Sequence, residues 1–303
     1  RGHTNSPRCA AAADATAADA APTRDKKRRA IASEATMVKL RPDIVLFGDS
    51  ITQQSFQPGG WGARLADAYN RHADIVLRGY SGYNTAWALA TLPDLREPAL
   101  EAPALVTVML GANDANCPAP LRKQGPEASR QHVPIDEYKA NLKTIVTTIQ
   151  SWGTTARRAR VLLITPPPVH TETWAAFCVQ NYGVNADAEP NRNHETTSEY
   201  CKACLAVGAE LGVAALDMHG AFLARPDWPT LLVDGLHPSA TGGEFMYETI
   251  VKAVQTTWPE LTPLVFGDDP SKPGLPLDFP SHQMPGLERD IAKTFKDHAA
   301  AKK

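Results

Sequence analysis

The chain of 303 residues is 43% hydrophobic and has a formal net charge of −2. This length and apolar content suit one large domain with a real core, and the near-neutral charge offers no general reason to bind nucleic acid or an anionic membrane. The expected partner is therefore a small neutral or weakly charged molecule. No stretch approaches the roughly 20 apolar residues that a membrane span requires. Five cysteines, an odd number, argue against a disulfide framework and favour a reducing, cytoplasmic compartment.

The first 36 residues are set apart by their composition. They are rich in alanine, carry a basic cluster over residues 24–29 and show no periodic apolar face. We therefore expect residues 1–36 to be a disordered leader or a non-native extension, with Met37 as a candidate native start. An organelle transit peptide is the alternative, although the acidic residues within this segment are unusual for such a peptide.

From Pro42 onward, apolar runs rich in β-branched residues alternate with amphipathic stretches. The runs predict strands at residues 43–48, 74–78, 104–110, 160–164 and 213–217. The amphipathic stretches predict helices at residues 61–71, 84–92, 136–152, 193–211 and 239–258. This alternation predicts an α/β domain over residues 37–258, with a doubly wound parallel sheet of about five strands between two layers of helices. Residues 259–303 are rich in proline and then basic, which predicts an extended tail with a short terminal helix.

Chemically suggestive residues follow the predicted strands. Ser50 comes directly after the first strand, Gly82 follows the second, and Asn113 follows the third. Asp234 and His237 lie beyond the fifth strand. Because parallel strands bring their carboxyl ends to one edge of a sheet, we expect these residues to meet in one cleft.

This set of residues matches the requirements of ester hydrolysis. Ser50 would attack the carbonyl carbon, His237 would act as the general base, and Asp234 would hold the imidazole in the productive tautomer. The backbone N–H groups of Ser50 and Gly82 and the side-chain amide of Asn113 would donate to the oxyanion. Glycine suits position 82 because the absence of a Cβ lets backbone and substrate approach closely.

The same residues also resemble a known family. Four blocks, at residues 48–50, 82, 111–114 and 234–237, are similar in type and order to those of the GDSL/SGNH hydrolase superfamily. Longer stretches around them resemble its isoamyl acetate-hydrolysing esterase branch, and the likeness spans about residues 40 to 262. It implies a flavodoxin-like three-layer α/β/α sandwich and a small-ester hydrolase that needs neither metal nor cofactor. Ala112 departs from the pattern, in which a second glycine is common.

Other functions would use the same site. A deacetylase of acetylated sugars or a thioesterase needs the same residues, and a catalytically silent scaffold could retain the fold. The acyl and alcohol groups depend on the segments 115–134 and 166–192, which we expect to be loops. Association into a homo-oligomer is compatible with the composition and is left open.

Several residues permit a second interpretation. Ser50 could be only a helix cap, and Ser81 lies in a sequence close to a Gly-x-Ser-x-Gly elbow that has Tyr83 where the last glycine belongs. Cys201 and Cys204 form a Cys-x-x-Cys without a second ligand pair, so buried thiols are expected rather than a metal site.

Acidic and aromatic residues near the expected cleft are less easily assigned. Asp49 and Asp114 are interpreted as structural partners of nearby backbone groups, with a second catalytic acid as the alternative for Asp114. Four aromatic residues either line a substrate pocket or belong to the core, namely Trp61, Tyr83, Trp87 and Trp174. For Trp61 and Trp87, core packing is at least as good an interpretation as a pocket wall.

Overall fold

In a computed structural model, a five-stranded parallel sheet forms the centre of the described part of the chain. The structure describes residues 41–95, 102–117, 128–154, 157–186, 189–264, 268, 271–284 and 291–301. The chain divides into two units, residues 1–38 and 39–303, and every described residue lies in the second. The prediction of a disordered leader or non-native extension at residues 1–36 therefore lies outside the described residues.

The sheet strands follow the predicted apolar runs closely. They are β1 (Asp43–Gly48), β2 (Asp74–Gly79), β3 (Leu105–Met109), β6 (Arg160–Ile164) and β7 (Ala214–Leu216). A separate antiparallel pair, β4 (Gly153–Thr154) and β5 (Arg157–Arg158), precedes β6 and was not predicted. The spatial order is β2-β1-β3-β6-β7, with every pairing in the five-stranded sheet parallel. This is the flavodoxin-like order, so the expected fold class is confirmed.

Helices cover both faces of the sheet. They are α1 (Ser50–Gln53), α2 (Trp61–Ala68), α3 (Thr85–Leu95), α4 (Ile135–Gln150), α5 (Thr171–Tyr182), α6 (His194–Leu211), α7 (Met218–Leu223), α8 (Ala240–Thr257) and α9 (Ile291–Ala301). None of the helices among the described residues is long and apolar enough to cross a bilayer.

The strand β1 explains why the core has two halves. Its successive side chains point to opposite faces of the sheet, so Leu46 packs into the cluster that contains Trp61 and Met246, while Phe47 packs into the cluster around Tyr138. Leu46 and Phe47 are almost completely buried. A strand buried on both faces has a continuous apolar sequence, which is why this segment could be identified as a central strand.

The main difference from the predicted elements lies between residues 166 and 192. The sequence suggested a loop, whereas the structure contains α5. This helix buries only Trp174 and Cys178, so its apolar stripe is short and its periodicity is weak. Its end was nevertheless marked, because Gly183 adopts the left-handed conformation (φ 64°) that commonly terminates a helix.

The segment after α8 returns to the amino-terminal edge of the sheet. The Leu275 N–H donates to the Thr262 carbonyl at 2.7 Å, and the Arg71 Nε donates to Asp278 at 3.1 Å. Arg71 is the only non-glycine residue with positive φ among the described residues (φ 67°). In α9, the Phe295 ring lies 5.8 Å from that of Phe279.

Candidate active site

The end of β1 positions Ser50. In the parallel register, Gly48 lies opposite both Gly79 of β2 and Met109 of β3, so the three following loops leave the sheet side by side. Asp49 caps α1 by accepting the Ile51 N–H at 2.9 Å, and Ser50 is the first residue of this helix. The serine therefore lies where the strand order reverses, which is the usual ligand site in such sheets.

Three side chains from two distant parts of the chain form a continuous hydrogen-bonded series. The Ser50 Oγ lies 2.9 Å from the His237 Nε2, and the His237 Nδ1 lies 2.7 Å from the Asp234 Oδ2. Because an ionised carboxylate only accepts, Nδ1 carries the proton and Nε2 is left to accept from the serine hydroxyl. The arrangement thus presents a base to a serine and a carboxylate to the base.

A tight turn holds the carboxylate of Asp234. Its Oδ1 accepts the backbone N–H groups of Leu236 and His237 at 2.8 and 2.7 Å, and Gly235 supplies the positive φ of 90° that the turn requires. Burial raises the pKa of Asp234, but the hydrogen bonds and charge of His237 lower it more, so the net pKa lies below its usual value. The carboxylate is therefore ionised near neutral pH.

The two remaining residues of the predicted site reach the same cleft. Gly82 has φ 80°, and Asn113 is buried with its Nδ2 donating to the Tyr83 carbonyl at 2.9 Å. The Asn113 Oδ1 accepts from Arg192 at 2.7 Å. Both residues line one cleft with Ser50 and His237, so the structure brings all five predicted residues to a single edge of the sheet.

The cleft has a volume of about 540 Å³ and walls of mixed character. Trp174 lies beside His237, with the two ring centres 6.5 Å apart. Trp87 and Tyr182 also line the cleft and are partly exposed, whereas Trp61 is buried in the core. Of the aromatic residues considered from the sequence, Trp87 and Trp174 therefore face the cleft and Trp61 does not.

Two buried carboxyl groups lie beneath the site. Burial raises the pKa of Asp49 to about 6 and the pKa of Asp114 to about 7. The Asp114 Oδ1 accepts the Thr85 N–H at 2.9 Å and also the Thr85 hydroxyl, and so fixes the first turn of α3. The contacts of Asp49 and Asp114 agree with the structural interpretation made from the sequence.

We expect Asp114 to make the fold less stable as the pH rises. Its folded pKa of about 7 lies above the ordinary value of 3.8, so the folded state binds more protons than the unfolded state between about pH 4 and 7. The free energy of unfolding should therefore fall across this window, by about 1.4 kcal/mol per unit of pKa shift. Asp114→Asn should remove this part of the slope in denaturant unfolding at pH 4.5, 6 and 8.

The exposed Asp136 provides the control for this measurement. Its side chain is 92% exposed, so Asp136→Asn should keep the wild-type dependence of unfolding free energy on pH. Parallel curves for the wild type and Asp114→Asn would show that Asp114 does not carry the expected slope.

The sequence interpretation missed four polar residues of the cleft, namely Arg130, Gln131, Asn191 and Arg192. Arg192 is buried and donates to Asn113, and Gln131 accepts from Arg192 at 2.8 Å. Neither belongs to a recognisable motif. The only signal was positional, because Asn193 caps α6 and so places Arg192 at the entry to a helix.

The cysteines have the expected character. Cys201 and Cys204 are both buried, and the Cys201 thiol lies 3.6 Å from the Pro166 carbonyl oxygen. Burial raises the pKa of both thiols, which keeps them protonated. Within the described part of the chain, no group of three or more potential metal ligands occurs.

Comparisons with known proteins agree on one family. The model of the GDSL-like lipase/acylhydrolase family matches residues 46–245. A GDSL esterase/lipase of Arabidopsis thaliana is 38% identical over 245 residues, covering 80% of this chain and 93% of that protein. The mouse isoamyl acetate-hydrolyzing esterase 1 homolog is 40% identical over 244 residues, covering 78% and 92%.

Solved structures extend the likeness to the fold. The lipase/acylhydrolase from Enterococcus faecalis superposes with a TM-score of 0.53 at 25% identity, covering 71% of this chain and 96% of that one. An acetylxylan esterase from Geobacillus stearothermophilus, in a catalytic-mutant form, gives 0.52 at 19% identity, covering 70% and 94%. At that identity the second likeness concerns the fold alone.

Proposed function

The chain belongs to the GDSL-like lipase/acylhydrolase family and is a carboxylic ester hydrolase, and we propose that it cleaves small, acetate-type esters with Ser50, His237 and Asp234 as a catalytic triad. The observation that carries the proposal is the pair of hydrogen bonds that joins these three side chains, at 2.9 and 2.7 Å. Both distances are short enough for a hydrogen bond, which is what proton transfer between a nucleophile and its base requires.

In the proposed acylation step, the Ser50 Oγ attacks the ester carbonyl carbon as its proton passes to the His237 Nε2. Asp234 stabilises the imidazolium that forms. The N–H groups of Ser50 and Gly82 and the Asn113 amide donate to the developing oxyanion. The tetrahedral intermediate collapses when the imidazolium returns the proton to the leaving alcohol, which departs and leaves an acyl group on Ser50.

In the proposed deacylation step, water takes the place of the alcohol. The neutral His237 removes a proton from this water as it attacks the acyl carbon, and the same donors bind the second oxyanion. The proton then returns to the Ser50 Oγ as the acid is released. Every proton moves between groups of the triad, the substrate and water, so the reaction needs no further reagent.

The size and lining of the cleft support a small substrate. Its volume of about 540 Å³ lies within the range of small-molecule sites. Trp87, Trp174 and Leu236 offer apolar surface to an acyl or alcohol group, while Gln131 and Arg192 lie on its polar side. The name of the mouse relative, which concerns an acetate ester, supports a short acyl chain.

A panel of p-nitrophenyl esters tests the acyl specificity. We expect kcat/KM to be highest for the acetyl ester and to fall by about tenfold or more for the octanoyl ester, because longer chains exceed a short acyl site. Acetylated xylose and an acetyl thioester, included as further arms, represent the deacetylase and thioesterase alternatives. A kcat/KM that is flat or rises toward the octanoyl ester would refute the acetate preference, and a higher value for the sugar or thioester would reassign the substrate.

We also propose that the enzyme works in the cytoplasm. The four described cysteines are free and buried, which supports a reducing compartment. They are Cys117, Cys178, Cys201 and Cys204.

A further inference from the structure

Arg192 lies beneath the cleft and donates hydrogen bonds to three residues around it. Only 5% of this residue is exposed, and its guanidinium carbon lies 5.2 Å from the centre of the Trp174 ring. Its Nε donates to the Ala112 carbonyl at 3.2 Å, and its Nη2 donates to both Asn113 and Gln131 at 2.7 and 2.8 Å. All three acceptors belong to the loops that surround the proposed oxyanion hole.

The contact with Asn113 fixes the direction of that amide. A guanidinium has no acceptor, so the Asn113 oxygen must face Arg192 and its nitrogen must face the other way. One Nδ2 hydrogen is then used by the Tyr83 carbonyl at 2.9 Å. The second hydrogen is left for an acceptor in the cleft, which is the geometry that an oxyanion donor needs.

The contact with Gln131 does the same for the neighbouring loop. Because the Gln131 Oε1 accepts from Arg192 and from Asn116, its Nε2 faces the Gly82 carbonyl and donates to it at 3.1 Å. This bond fixes the direction of the Gly82 carbonyl while Gly82 keeps its positive φ of 80°. A single guanidinium therefore tethers both residues that, with Ser50, would form the oxyanion hole.

We propose that Arg192 is a positioning residue that acts through Asn113 and Gln131 to fix the two oxyanion donors. This inference rests on the proposed function, since it concerns the same reaction. The guanidinium also places a positive charge behind the Asn113 amide, where it strengthens the N–H donor by charge-assisted hydrogen bonding to the amide oxygen. A lysine would keep the charge but lose the planar fork that reaches three acceptors.

The main test is a comparison of kcat and KM on p-nitrophenyl acetate. Arg192→Gln should lower kcat by about 10²-fold, the usual effect of losing one oxyanion donor, with KM changed by less than about threefold. Arg192→Lys should recover only part of this loss. Inhibition by a methyl trifluoromethyl ketone, whose serine adduct carries an oxyanion, should weaken in proportion to the loss of kcat/KM. A folded Arg192→Gln variant with wild-type kcat would overturn the proposal.

Arg71 is a matched control for removal of a guanidinium. It also donates to a side-chain oxygen, of Asp278, and to a backbone carbonyl, of Phe279, but it precedes β2 at the opposite edge of the sheet. Arg71→Gln should lower the melting temperature and leave kcat unchanged. If Arg192→Gln reduced kcat no more than Arg71→Gln does, its role would be structural and the proposal would fail.

Variants of Gln131 and Asn113 test whether Arg192 acts through these two residues. Gln131 is only partly buried, so Gln131→Met provides a variant that folds even where Arg192→Gln does not, and it should lower kcat by about tenfold with little change in KM. In an Asn113→Ala, Gln131→Met background, Arg192→Gln should cost less than about threefold, because the groups through which it acts are absent. An unchanged kcat in Gln131→Met, or a full additional loss in that background, would refute the proposed route.

The activities of the wild type and Ser50→Ala distinguish a failure of the proposed function from a failure of the positioning role of Arg192. If the wild type hydrolyses no ester, or Ser50→Ala retains its activity, the proposed function fails whatever Arg192 does. If Ser50→Ala is inactive and Arg192→Gln is indistinguishable from the wild type, only the positioning role is refuted.

Discussion

Ser50→Ala should lower kcat for a small ester by about 10⁶-fold, the size of the effect when the triad serine is removed from a serine protease. The alanine has no atom that can bond to the acyl carbon, so only binding and the oxyanion donors remain. The free energy of unfolding should change by less than about 1 kcal/mol, since the hydroxyl contacts His237 at a cleft wall and fills no core position. Steady-state kinetics and denaturant unfolding measure the two effects.

Covalent labelling identifies the attacking atom independently of turnover. A fluorophosphonate probe should label the wild type and Ser81→Ala, and it should fail to label Ser50→Ala. Ser81 is the informative comparison because it lines the same cleft, whereas the imidazole of His237 contacts Ser50. Labelling of Ser50→Ala, or its loss in Ser81→Ala, would assign the nucleophile elsewhere.

Asp234→Asn should lower kcat by roughly 10⁴-fold while the fold is retained. An asparagine keeps an oxygen for the backbone N–H groups of Leu236 and His237, so the turn has no reason to open. Its amide nitrogen, however, would donate to the His237 Nδ1 and move the ring proton to Nε2, where it faces Ser50. The base would then be in the wrong tautomer, and the imidazolium would lose its counter-charge.

The pH profile tests the same carboxylate. Because the net pKa of Asp234 lies below 3.8, the group is ionised in the folded enzyme throughout the range above that value. Its contribution to stability is present above the ordinary aspartate pKa and is lost only as the pH falls through the lower folded value. Any decline of wild-type kcat/KM at pH values above 3.8 should therefore not arise from protonation of Asp234.

A surface aspartate supplies the matched control. Asp227 also has a lowered pKa, caused first by its hydrogen bond from Arg225, but it lies outside the cleft. Asp227→Asn should reproduce the wild-type profile between pH 4 and 9, while Asp234→Asn should be slow across the whole range. Full activity with an unchanged profile in Asp234→Asn would exclude Asp234 from the reaction.

The strands and the site residues that follow them could be predicted from the sequence. The apolar run before Ser50 is continuous because β1 is buried on both faces, and parallel pairing then carries Gly82 and Asn113 to the same edge. Asp234 and His237 are close in sequence and share one tight turn, so their contact needed no long-range information.

The walls of the cleft could not be predicted in the same way. Helix α5 buries only two side chains, so its periodicity is hardly distinguishable from that of a loop. Arg192 was missed for a different reason. Its three acceptors are residues 112, 113 and 131, and the direction of its side chain depends on the packed fold rather than on its neighbours in sequence.

The start of helix α5 lies against the backbone of the turn that holds Asp234 and His237. The His170 N–H donates to the Gly235 carbonyl at 2.8 Å, and a Cβ on Gly235 would lie 2.5 Å from the Trp174 nitrogen. The turn thus fixes where the helix starts, while Cys178, Tyr182 and the residues beyond them decide what the cleft contacts. Substitutions along this part of α5 should therefore change the surface of the cleft without disturbing the strand ends, provided that position 235 stays glycine.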